Sequence, residues 1–336
     1  MKRKKYLHLF IFFSICYWCY CNNNSSTQFY IIEQNGKFGY INKTGKIVIN
    51  PEYEYADLFH EDLAAVGSKE KRGYGYINEK GNVVIDFKYS GARSFSEGLA
   101  SVRVGRSWGF IDRKGSFVIN PQYDFAGSFS EGLAIVEIDN KYGFIDKNGN
   151  IIIKPKYDAV QNFSEGLAVY FLDKNMGFID KTGSEIIKLV PRGDSHIRGF
   201  SEGLALVIIS GKCGYINKMG NFIIETKYGR SFEKFSEGVV PVSIDEKIYF
   251  IDKNGKTILD LEKINPEIKF TRSFSEGLAV ALIGNKYGYI DKKCNVIIKA
   301  QFDEAEEFIN GLAKVEMDRQ TGYIDKKGKY VWISGM

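Results

Sequence analysis

The chain has 336 residues and consists almost entirely of one sequence unit written nine times. The block FSEGLA occurs in identical form at Phe95, Phe129, Phe163, Phe200 and Phe274, with near-copies at Phe59, Phe235 and Phe308. A second block, similar to YGFID, places a glycine at Gly39, Gly75, Gly109, Gly143, Gly177, Gly214, Gly288 and Gly322, with Tyr249 once in its place. Successive copies of this position are 34 to 39 residues apart. A unit this small cannot bury a core alone, so the core has to form between stacked neighbours.

Each unit contains three strand signals, which predict an all-β fold. In the copy from Leu133 to Gly166, the segments LAIVEI, YGFID and NIIIK are rich in branched and aromatic side chains and are separated by short turns. The D-K-x-G turn after the second segment opens with Asp or Asn in every copy. Such a side chain accepts a backbone N–H two residues on, which holds the turn. The turn glycine is replaced once, by Cys294, which we interpret as drift and not as a reactive thiol.

The recurring pattern resembles the WG-repeat family, also called KWG repeats. It reads K-x-G-[FY]-I-[DN]-K-x-G, then a run of Ile and Val, P-x-[FY]-D and F-x-[ED]-G-L-A, and it covers about residues 28 to 333. The Trp-Gly pair of the family name occurs literally only at Trp108-Gly109. The resemblance implies an all-β repeat domain, common in bacterial surface or lipid-anchored proteins, and it implies no catalytic residues.

Two architectures are compatible with nine such units. We expect an array of nine three-stranded antiparallel units that spirals as an open β-solenoid or superhelix, with the Phe of FSEGLA wedged between units. The alternative is a propeller-like closed ring. The open array is favoured because propeller blades usually have four strands and rings contain about four to eight blades.

The N-terminus has the composition of a targeting segment. Residues 1–21 combine Lys2, Arg3, Lys4 and Lys5 with an apolar run and end at Cys21, which resembles a bacterial lipoprotein signal. The run is short for a membrane span and suits a secretory signal. We predict a signal or lipid-anchor segment at 1–21 with lipid attachment at Cys21, a polar tether at 22–28 and the repeat domain at 29–336. Cys16, Cys19 and an uncleaved anchor are the alternatives, and all of them predict an exported protein of the bacterial envelope, periplasmic or on the outer surface.

Charge and motif content exclude several classes of function. The formal charge of +5 comes from 46 basic and 41 acidic residues, and removing the four basic residues of the N-terminal segment leaves 42 against 41, or +1. No basic surface for nucleic acid is therefore expected. Glycine-rich nucleotide-binding motifs are absent, and the two histidines of the repeat region, His60 and His196, stand in different units. We expect no cofactor and no metal site, and contact with a membrane only through the N-terminal anchor.

The repeated Ser-Glu pair could suggest multiplied catalytic chemistry, but its replacements argue against it. The Ser position accepts His60 and Ile309, and the Glu position accepts Asn310. The turn Asp is likewise interchangeable with Asn, which cannot act as a general base. The sequence thus predicts structural corners and a protein that is not an enzyme. An enzyme would need an unrepeated carboxylate pair, for which Asp260 with Glu262, or Glu304 with Glu306 and Glu307, are the candidates.

We therefore predict a non-enzymatic, exported, envelope-attached protein that serves as a protein-binding or scaffolding surface. Its partner would be a protein or glycan of the cell envelope or of a host. Specificity is expected in the three connections that depart from the repeat, at 188–199, 226–234 and 260–273. Two alternatives stay open. One is an envelope glycan-binding or glycan-acting protein, and the other is a host-adhesion protein that uses the loop of Arg192, Gly193 and Asp194.

Overall fold

The computed structural model describes residues 29–193, 195–229 and 233–335, and each repeat in them forms one small antiparallel sheet. The nine sheets follow one another around a closed ring, so the protein is a nine-bladed β-propeller. The N-terminal segment, with the predicted lipid-attachment residue Cys21, lies outside the described residues. No helix in the described part of the chain is long and apolar enough to cross a membrane.

The blades are numbered along the chain. Blade 1 contains β1 (Phe29–Gln34), β2 (Lys37–Asn42) and β3 (Ile47–Tyr53). Blade 2 contains β4 (Tyr55–Ala56), β5 (Leu63–Ser68), β6 (Gly73–Asn78) and β7 (Val83–Tyr89). Blade 3 contains β8 (Gly91–Ala92), β9 (Ala100–Val104), β10 (Ser107–Ile111) and β11 (Phe117–Tyr123). Blade 4 contains β12 (Phe125–Ser130), β13 (Leu133–Ile138), β14 (Lys141–Ile145) and β15 (Ile151–Tyr157). Blade 5 contains β16 (Ala159–Val160), β17 (Ala168–Leu172), β18 (Asn175–Ile179) and β19 (Glu185–Leu189). Blade 6 contains β20 (His196–Ile197), β21 (Ala205–Ile209), β22 (Lys212–Ile216) and β23 (Phe222–Tyr228). Blade 7 contains β24 (Val239–Ile244), β25 (Lys247–Asp252) and β26 (Thr257–Asp260), followed by the helix α1 (Leu261–Ile264). Blade 8 contains β27 (Ile268–Thr271), β28 (Leu278–Ile283), β29 (Lys286–Asp291) and β30 (Val296–Phe302). Blade 9 contains β31 (Glu304–Ala305), β32 (Leu312–Met317), β33 (Gln320–Asp325) and β34 (Tyr330–Ile333).

The three predicted strands are present in every blade, and seven of the nine blades have a fourth strand that precedes them. The expectation of three-stranded units was therefore wrong for these seven. In five of them the additional strand has only two residues, as in β4 and β16. Two residues carry no alternation signal, and for this reason the sequence pattern did not predict them.

In six of the eight blades that have it, the repeated glycine lies opposite a bulge in the last strand. In blades 5 and 9 the strands pair at Gly177 and Gly322 without this bulge. Opposite Gly109, the strand β11 bulges, so that Trp108 pairs with Tyr123 while Phe110 pairs with Ile119. A Cβ on Gly109 would lie 2.5 Å from the carbonyl oxygen of Ile119. In blade 7 the strand β26 ends at Asp260 and the chain enters α1, so the bulge is missing there. This is the blade in which Tyr249 replaces the glycine.

The core lies between the blades, as the size of the unit requires. Each Phe of the FSEGLA blocks packs against an aromatic ring on the second long strand of the preceding blade. The ring centroids are 4.8 to 5.0 Å apart in all eight such pairs, for example in Phe110–Phe129 and Phe144–Phe163. Pairs of this geometry contribute about 0.5–1.5 kcal/mol each beyond area burial. The predicted role of the Phe as a wedge is confirmed.

Blade 9 packs directly on blade 1, which corrects the preferred expectation of an open solenoid. The hydroxyl of Tyr30 donates to the carbonyl oxygen of Asn310 at 2.8 Å, and the hydroxyl of Tyr323 donates to that of Ile31 at 2.8 Å. Side chains of both blades, among them Ile32 and Trp332, share one apolar cluster. An open array would leave an apolar face of each terminal unit in water, whereas the ring buries both.

Candidate functional site

The FSEGLA blocks form tight corners that lead into the first long strand of each blade. In blade 3, Ser96 and Leu99 exchange two backbone hydrogen bonds, of 2.9 and 3.2 Å. The two residues between them have positive φ, 55° at Glu97 and 89° at Gly98. This is the backbone geometry of a two-residue type I′ hairpin, for which glycine at the second position is favourable. The Ser-Glu pair therefore belongs to a turn, as the sequence predicted.

Consecutive corners are joined by hydrogen bonds between blades. Six serine hydroxyls donate to the carbonyl oxygen of the Phe in the next corner at 2.7–2.9 Å: Ser96, Ser130, Ser164, Ser201, Ser236 and Ser275. Seven glutamates accept the backbone N–H of the Gly in the next corner at 2.9–3.2 Å: Glu61, Glu97, Glu131, Glu165, Glu202, Glu237 and Glu276. The residues that looked like a repeated catalytic pair thus hold neighbouring blades together.

A basic residue of the next blade pairs with six of these seven glutamates, and with the neighbouring Asp62 at the corner of Glu61. The residue after the turn Asp or Asn pairs with the corner carboxylate of the preceding blade, as in Lys147–Glu97 at 3.1 Å and Lys253–Glu202 at 3.1 Å. In blade 3 the pair is Arg113–Asp62, also at 3.1 Å. We call the group of corner carboxylate, Gly N–H and basic side chain the clasp. Corners and D-K-x-G turns therefore lie on the same face of the ring, named the corner face.

The turns themselves are held as the sequence predicted. In all nine copies the first side chain accepts the backbone N–H groups two and four residues on, at 2.8–3.1 Å: Asn42, Asn78, Asp112, Asp146, Asp180, Asn217, Asp252, Asp291 and Asp325. Cys294 adopts the left-handed conformation of the glycine it replaces, with φ of 63°. Burial and the nearby Asp291 raise the pKa of its thiol to about 11, so it is not a reactive thiol.

The two residues before each corner Phe differ from blade to blade and lie next to one another around the axis. We call them the axial ring. Its first positions are Asp57, Arg93, Gly127, Gln161, Arg198, Glu233, Arg272 and Glu306, and its second positions are Leu58, Ser94, Ser128, Asn162, Gly199, Lys234, Ser273 and Glu307. Corners of adjacent blades are in direct contact, whereas the last strands expose apolar side chains such as Val118 and Ile152. We infer that the blades converge on the axis at the edge that carries the corners.

Hydrogen bonds between neighbouring blades join members of the axial ring at several junctions. Ser94 donates to Asp57 at 2.6 Å, and the backbone N–H of Ser273 donates to Glu233 at 3.2 Å. Ser273 also donates its hydroxyl to the carbonyl oxygen of Lys234 at 2.8 Å. The backbone of the ring is anchored from the preceding blade, since Tyr76 donates to the carbonyl oxygen of Arg93 at 2.8 Å. The variable side chains are thus mounted on a fixed backbone.

The axial ring is electrostatically coupled and unevenly charged. Burial raises the pKa of Glu307, the nearby Glu233 raises it further, and Arg272 opposes both. Burial and the neighbouring Arg198 lower the pKa of Lys234. Glu307 and Glu233 belong to corners two blades apart, and the carboxylate of Glu233 reaches across to blade 8, where it accepts from the N–H of Ser273. The guanidinium of Arg93 lies 5.3 Å from the ring centre of Trp108 and 5.0 Å from that of Phe125, a cation–π arrangement.

In the three connections that were predicted to determine specificity, the last residues lie in a different place from the residues before them. Their last residues, Arg198, Glu233 with Lys234, and Arg272, all enter the axial ring. In the first connection, Arg192 and Gly193 are exposed, and the carbonyl oxygen of Arg192 accepts from the hydroxyl of Ser195 at 2.7 Å. It also accepts from the N–H of Ser210 at 3.2 Å, in the hairpin on the face opposite the corners. Asp194 lies outside the described residues.

The unrepeated acids also have separate locations. Asp260 accepts from the N–H of Lys263 as the N-cap of α1, and Glu262 pairs with Lys247 at 2.7 Å. Glu306 and Glu307 belong to the axial ring. In the described ranges no group of three or more His, Cys, Asp and Glu side chains could hold a metal ion. Cys213 and Cys294 are both buried, and neither forms a disulfide.

Sequence reasoning did not identify the axial ring as a site. Its members in successive blades are more than 30 residues apart along the chain and form no motif. A signal was nevertheless present, because the residue two before the Phe changes from Asp57 to Arg93 to Gly127 while the block that follows hardly changes. Reading variation between copies within the chain would have found it.

The comparisons with known proteins identify the repeat. The family described as "WG containing repeat" matches residues 38–71, 74–106, 108–142, 142–175, 214–247, 250–287 and 287–319. No curated protein matches the sequence. Among solved structures, a eukaryotic initiation factor is similar at 11% identity with a TM-score of 0.64, over 92% of this chain and 96% of that chain. At this identity the likeness concerns the fold alone.

Two further structures are similar with lower scores. BamB from Moraxella catarrhalis has 11% identity and a TM-score of 0.42, over 90% of this chain and 95% of that chain. AztD from Citrobacter koseri, in its apo form, has 10% identity and a TM-score of 0.43, over 92% of this chain and 94% of that chain.

Proposed function

The chain belongs to the family of WG-containing repeat proteins, and from that premise we propose that it is a non-enzymatic binding or scaffolding protein of the bacterial envelope whose protein partner engages the axial ring. One observation carries this proposal. Around the axis, residues of changing charge stand before the same corner in each of the eight blades that have one. The residues that are repeated from blade to blade are explained by the contacts that hold the fold together. The axial residues occupy equivalent positions in their blades, but their identity changes from one blade to the next.

The chemistry of the axial ring favours a protein partner over nucleic acid. Arg198, Lys234 and Arg272 stand beside Glu233 and Glu306, so the ring presents charges of both signs within a short arc. A phosphate backbone requires clustered cations, and the acids here would repel it. A protein surface with complementary charges matches such a pattern, and charge complementarity of this kind mainly determines specificity and association rate.

Attachment to the envelope rests on the N-terminal sequence. The basic residues 2–5, the apolar run and Cys21 precede a polar stretch, NNNSSTQ, before the first blade begins at Phe29. We propose lipid attachment at Cys21 and export of the propeller. Expression of the full chain with a labelled fatty acid tests this: the label is expected in the wild type and absent from Cys21→Ser. Equal labelling of both proteins would overturn the assignment of Cys21.

Site-specific photocrosslinking tests the binding surface. A photoreactive amino acid at Ser128 or Asn162, in the axial ring, is expected to capture a partner in the cells that produce the protein. The same group at the exposed Ser116 or Asn150, in D-K-x-G turns on the corner face, is the matched control. Capture from the turn positions but not from the axial positions would show that the partner binds elsewhere.

Two other functions remain predictions. The phenylalanines of the corners are buried between blades, with Phe95, Phe129 and Phe200 at most 1% exposed, so these rings offer no platform for sugars. Adhesion through Arg192, Gly193 and Asp194 is favoured by the exposure of the first two residues in a turn. Cell attachment that is unchanged in Asp194→Glu would rule it out.

A further inference from the structure

Two junctions of the ring have no clasp, and both involve blade 1, which has no corner among the described residues. At the junction of blade 9 with blade 1 the basic residue is present and the corner carboxylate is not. Seven corner glutamates accept a Gly N–H, the last being Glu276, which accepts from Gly311 at 3.2 Å. The corner of blade 9 has Asn310 in the glutamate position. The basic position of the next blade is occupied by Lys43, which is exposed. The geometry that elsewhere places a carboxylate beside a lysine is therefore repeated here without the carboxylate.

Lys43 faces an open pocket of 470 Å³ at this junction. Its ammonium lies 2.8 Å from the place that a Cβ on Gly311 would occupy, which puts it directly over the blade 9 corner. Asn310, Lys326 and Lys327 line the same pocket. In the described ranges, no carboxylate forms an ion pair with Lys43. The pocket thus contains a lysine whose counterparts in six other blades are paired with a glutamate.

The two carboxylates that border the pocket are already engaged. Glu276 pairs with Lys326 at 3.0 Å, and Asp325 accepts the N–H groups of Lys327 and Lys329 at 2.9 and 3.0 Å. Three lysines against two acids leave the pocket with a net charge of +1. In the described ranges neither Lys43 nor Lys327 forms an ion pair with a carboxylate through its ammonium, whereas Lys326 does.

In the described residues, no carboxylate other than Glu276 and Asp325 lines the pocket. Residues 1–28 contain no Asp and no Glu. The C-terminal strand β34 runs away from the corner face, and a Cβ on Gly335 would lie 3.8 Å from the side chain of Gln320, in the β32–β33 hairpin at the opposite end of the blade. Among the described residues, every carboxylate that borders the pocket is therefore already engaged.

We propose that this pocket binds a carboxylate group of another molecule, with Lys43 as its cation and the Asn310 side chain as a hydrogen-bond donor. The other clasps provide the model for the contact, because each places a carboxylate between a lysine and a corner. An acidic side chain of a protein and a small free carboxylate share this chemistry. The site is separate from the axial ring and does not depend on the function proposed for it.

Fluorescence anisotropy of a labelled hexaglutamate peptide, added to the full chain at low salt, tests the proposal. Lys43→Gln is expected to weaken binding by about tenfold or more, since it removes a charge-assisted hydrogen bond. Asn310→Glu is expected to weaken it similarly, because the new carboxylate takes Lys43 and completes the clasp. Lys253→Gln, which changes the same position in blade 7, is the matched control and should leave binding unchanged. If millimolar acetate displaces the peptide, a small free carboxylate is sufficient as the ligand of the pocket. If the peptide stays bound in acetate, the ligand is an acidic side chain of a protein.

A second measurement keeps the proposal testable if a variant folds poorly. Asn310→Glu is expected to raise Tm at low salt, and the rise should vanish when Lys43→Gln is added. The proposal is overturned by an absence of peptide binding to the wild type. It is equally overturned if Lys43→Gln binds like the wild type, if Asn310→Glu binds as tightly and leaves Tm unchanged, or if Lys253→Gln loses as much affinity as Lys43→Gln.

Discussion

The hydroxyl of Ser96 in blade 3 donates a 2.7 Å hydrogen bond to the backbone carbonyl oxygen of Phe129 in blade 4. Both residues are buried, at 8% and 0% exposure, so removal of the hydroxyl leaves a buried acceptor unsatisfied. We predict that Ser96→Ala lowers the free energy of unfolding by about 1–3 kcal/mol. Denaturant unfolding measures it. Ser116→Ala is the control, because the exposed Ser116 is held through its backbone N–H, and an equal loss in both variants would contradict the role of the corner.

Within the clasp, the backbone contact should matter more than the ion pair. Glu97 accepts the N–H of Gly132 and also pairs with Lys147, whose side chain is 44% exposed. An exposed pair of this kind contributes about 0–1 kcal/mol, whereas loss of the acceptor strands a partly buried donor. We predict that Glu97→Ala costs about 1–2 kcal/mol and Lys147→Ala less than about 1 kcal/mol. Equal costs in denaturant unfolding would show that the ion pair dominates.

The repeated glycine should tolerate no side chain where the last strand bulges. We predict that Gly109→Ala destabilises by about 1–3 kcal/mol or more, as overpacking against rigid backbone does. In Gly127→Ala the added methyl group would meet its nearest atom at 3.5 Å, so this change in a neighbouring blade should cost little. Thermal unfolding compares the two variants. A mild effect of Gly109→Ala would mean that β11 can move away from Gly109.

The axial ring should destabilise the fold at neutral pH through Glu307. Burial and Glu233 raise the pKa of Glu307 above its unfolded value of about 4.5, so the folded state favours the protonated acid. The resulting penalty is absent below the unfolded pKa and appears as the pH rises through the folded pKa. We predict that Glu307→Gln raises Tm at pH 7 and has a smaller effect below pH 4.5. Glu304→Gln, at an exposed position, is the control, and a Tm increase that is independent of pH would contradict the burial of charge.

Local structure could be predicted from the sequence because comparison of the repeats with one another shows which positions tolerate replacement. Nine copies of one turn showed that Asp and Asn are interchangeable, and eight copies of the corner showed that only Phe is never replaced. Those interpretations hold in the structure. Ring closure could not be predicted, because it depends on the rotation between successive blades and on contacts such as Tyr30 with Asn310, 280 residues apart.

The candidate site was missed for a related physical reason. Residues in the axial ring become neighbours only when the blades converge, and convergence is a property of the closed ring. The sequence pointed to 188–199, 226–234 and 260–273 because they have unusual length. Only the last residues of these connections, such as Arg198 and Arg272, reach the axis, while α1 and the turn at Arg192 lie toward the opposite face.

Spin-label distances test most directly whether the blades converge on one axis. Labels are attached to cysteines introduced at exposed, equivalent turn positions, in a background without the native cysteines. The pair at Lys46 and Lys329 joins blades 1 and 9, the pair at Ser116 and Asn150 joins neighbouring blades, and the pair at Lys46 and Ser184 joins blades 1 and 5. The closed ring predicts that the first distance equals the second and is shorter than the third. If the distance between Lys46 and Lys329 is the longest of the three, the chain is an open array and the axial ring does not exist.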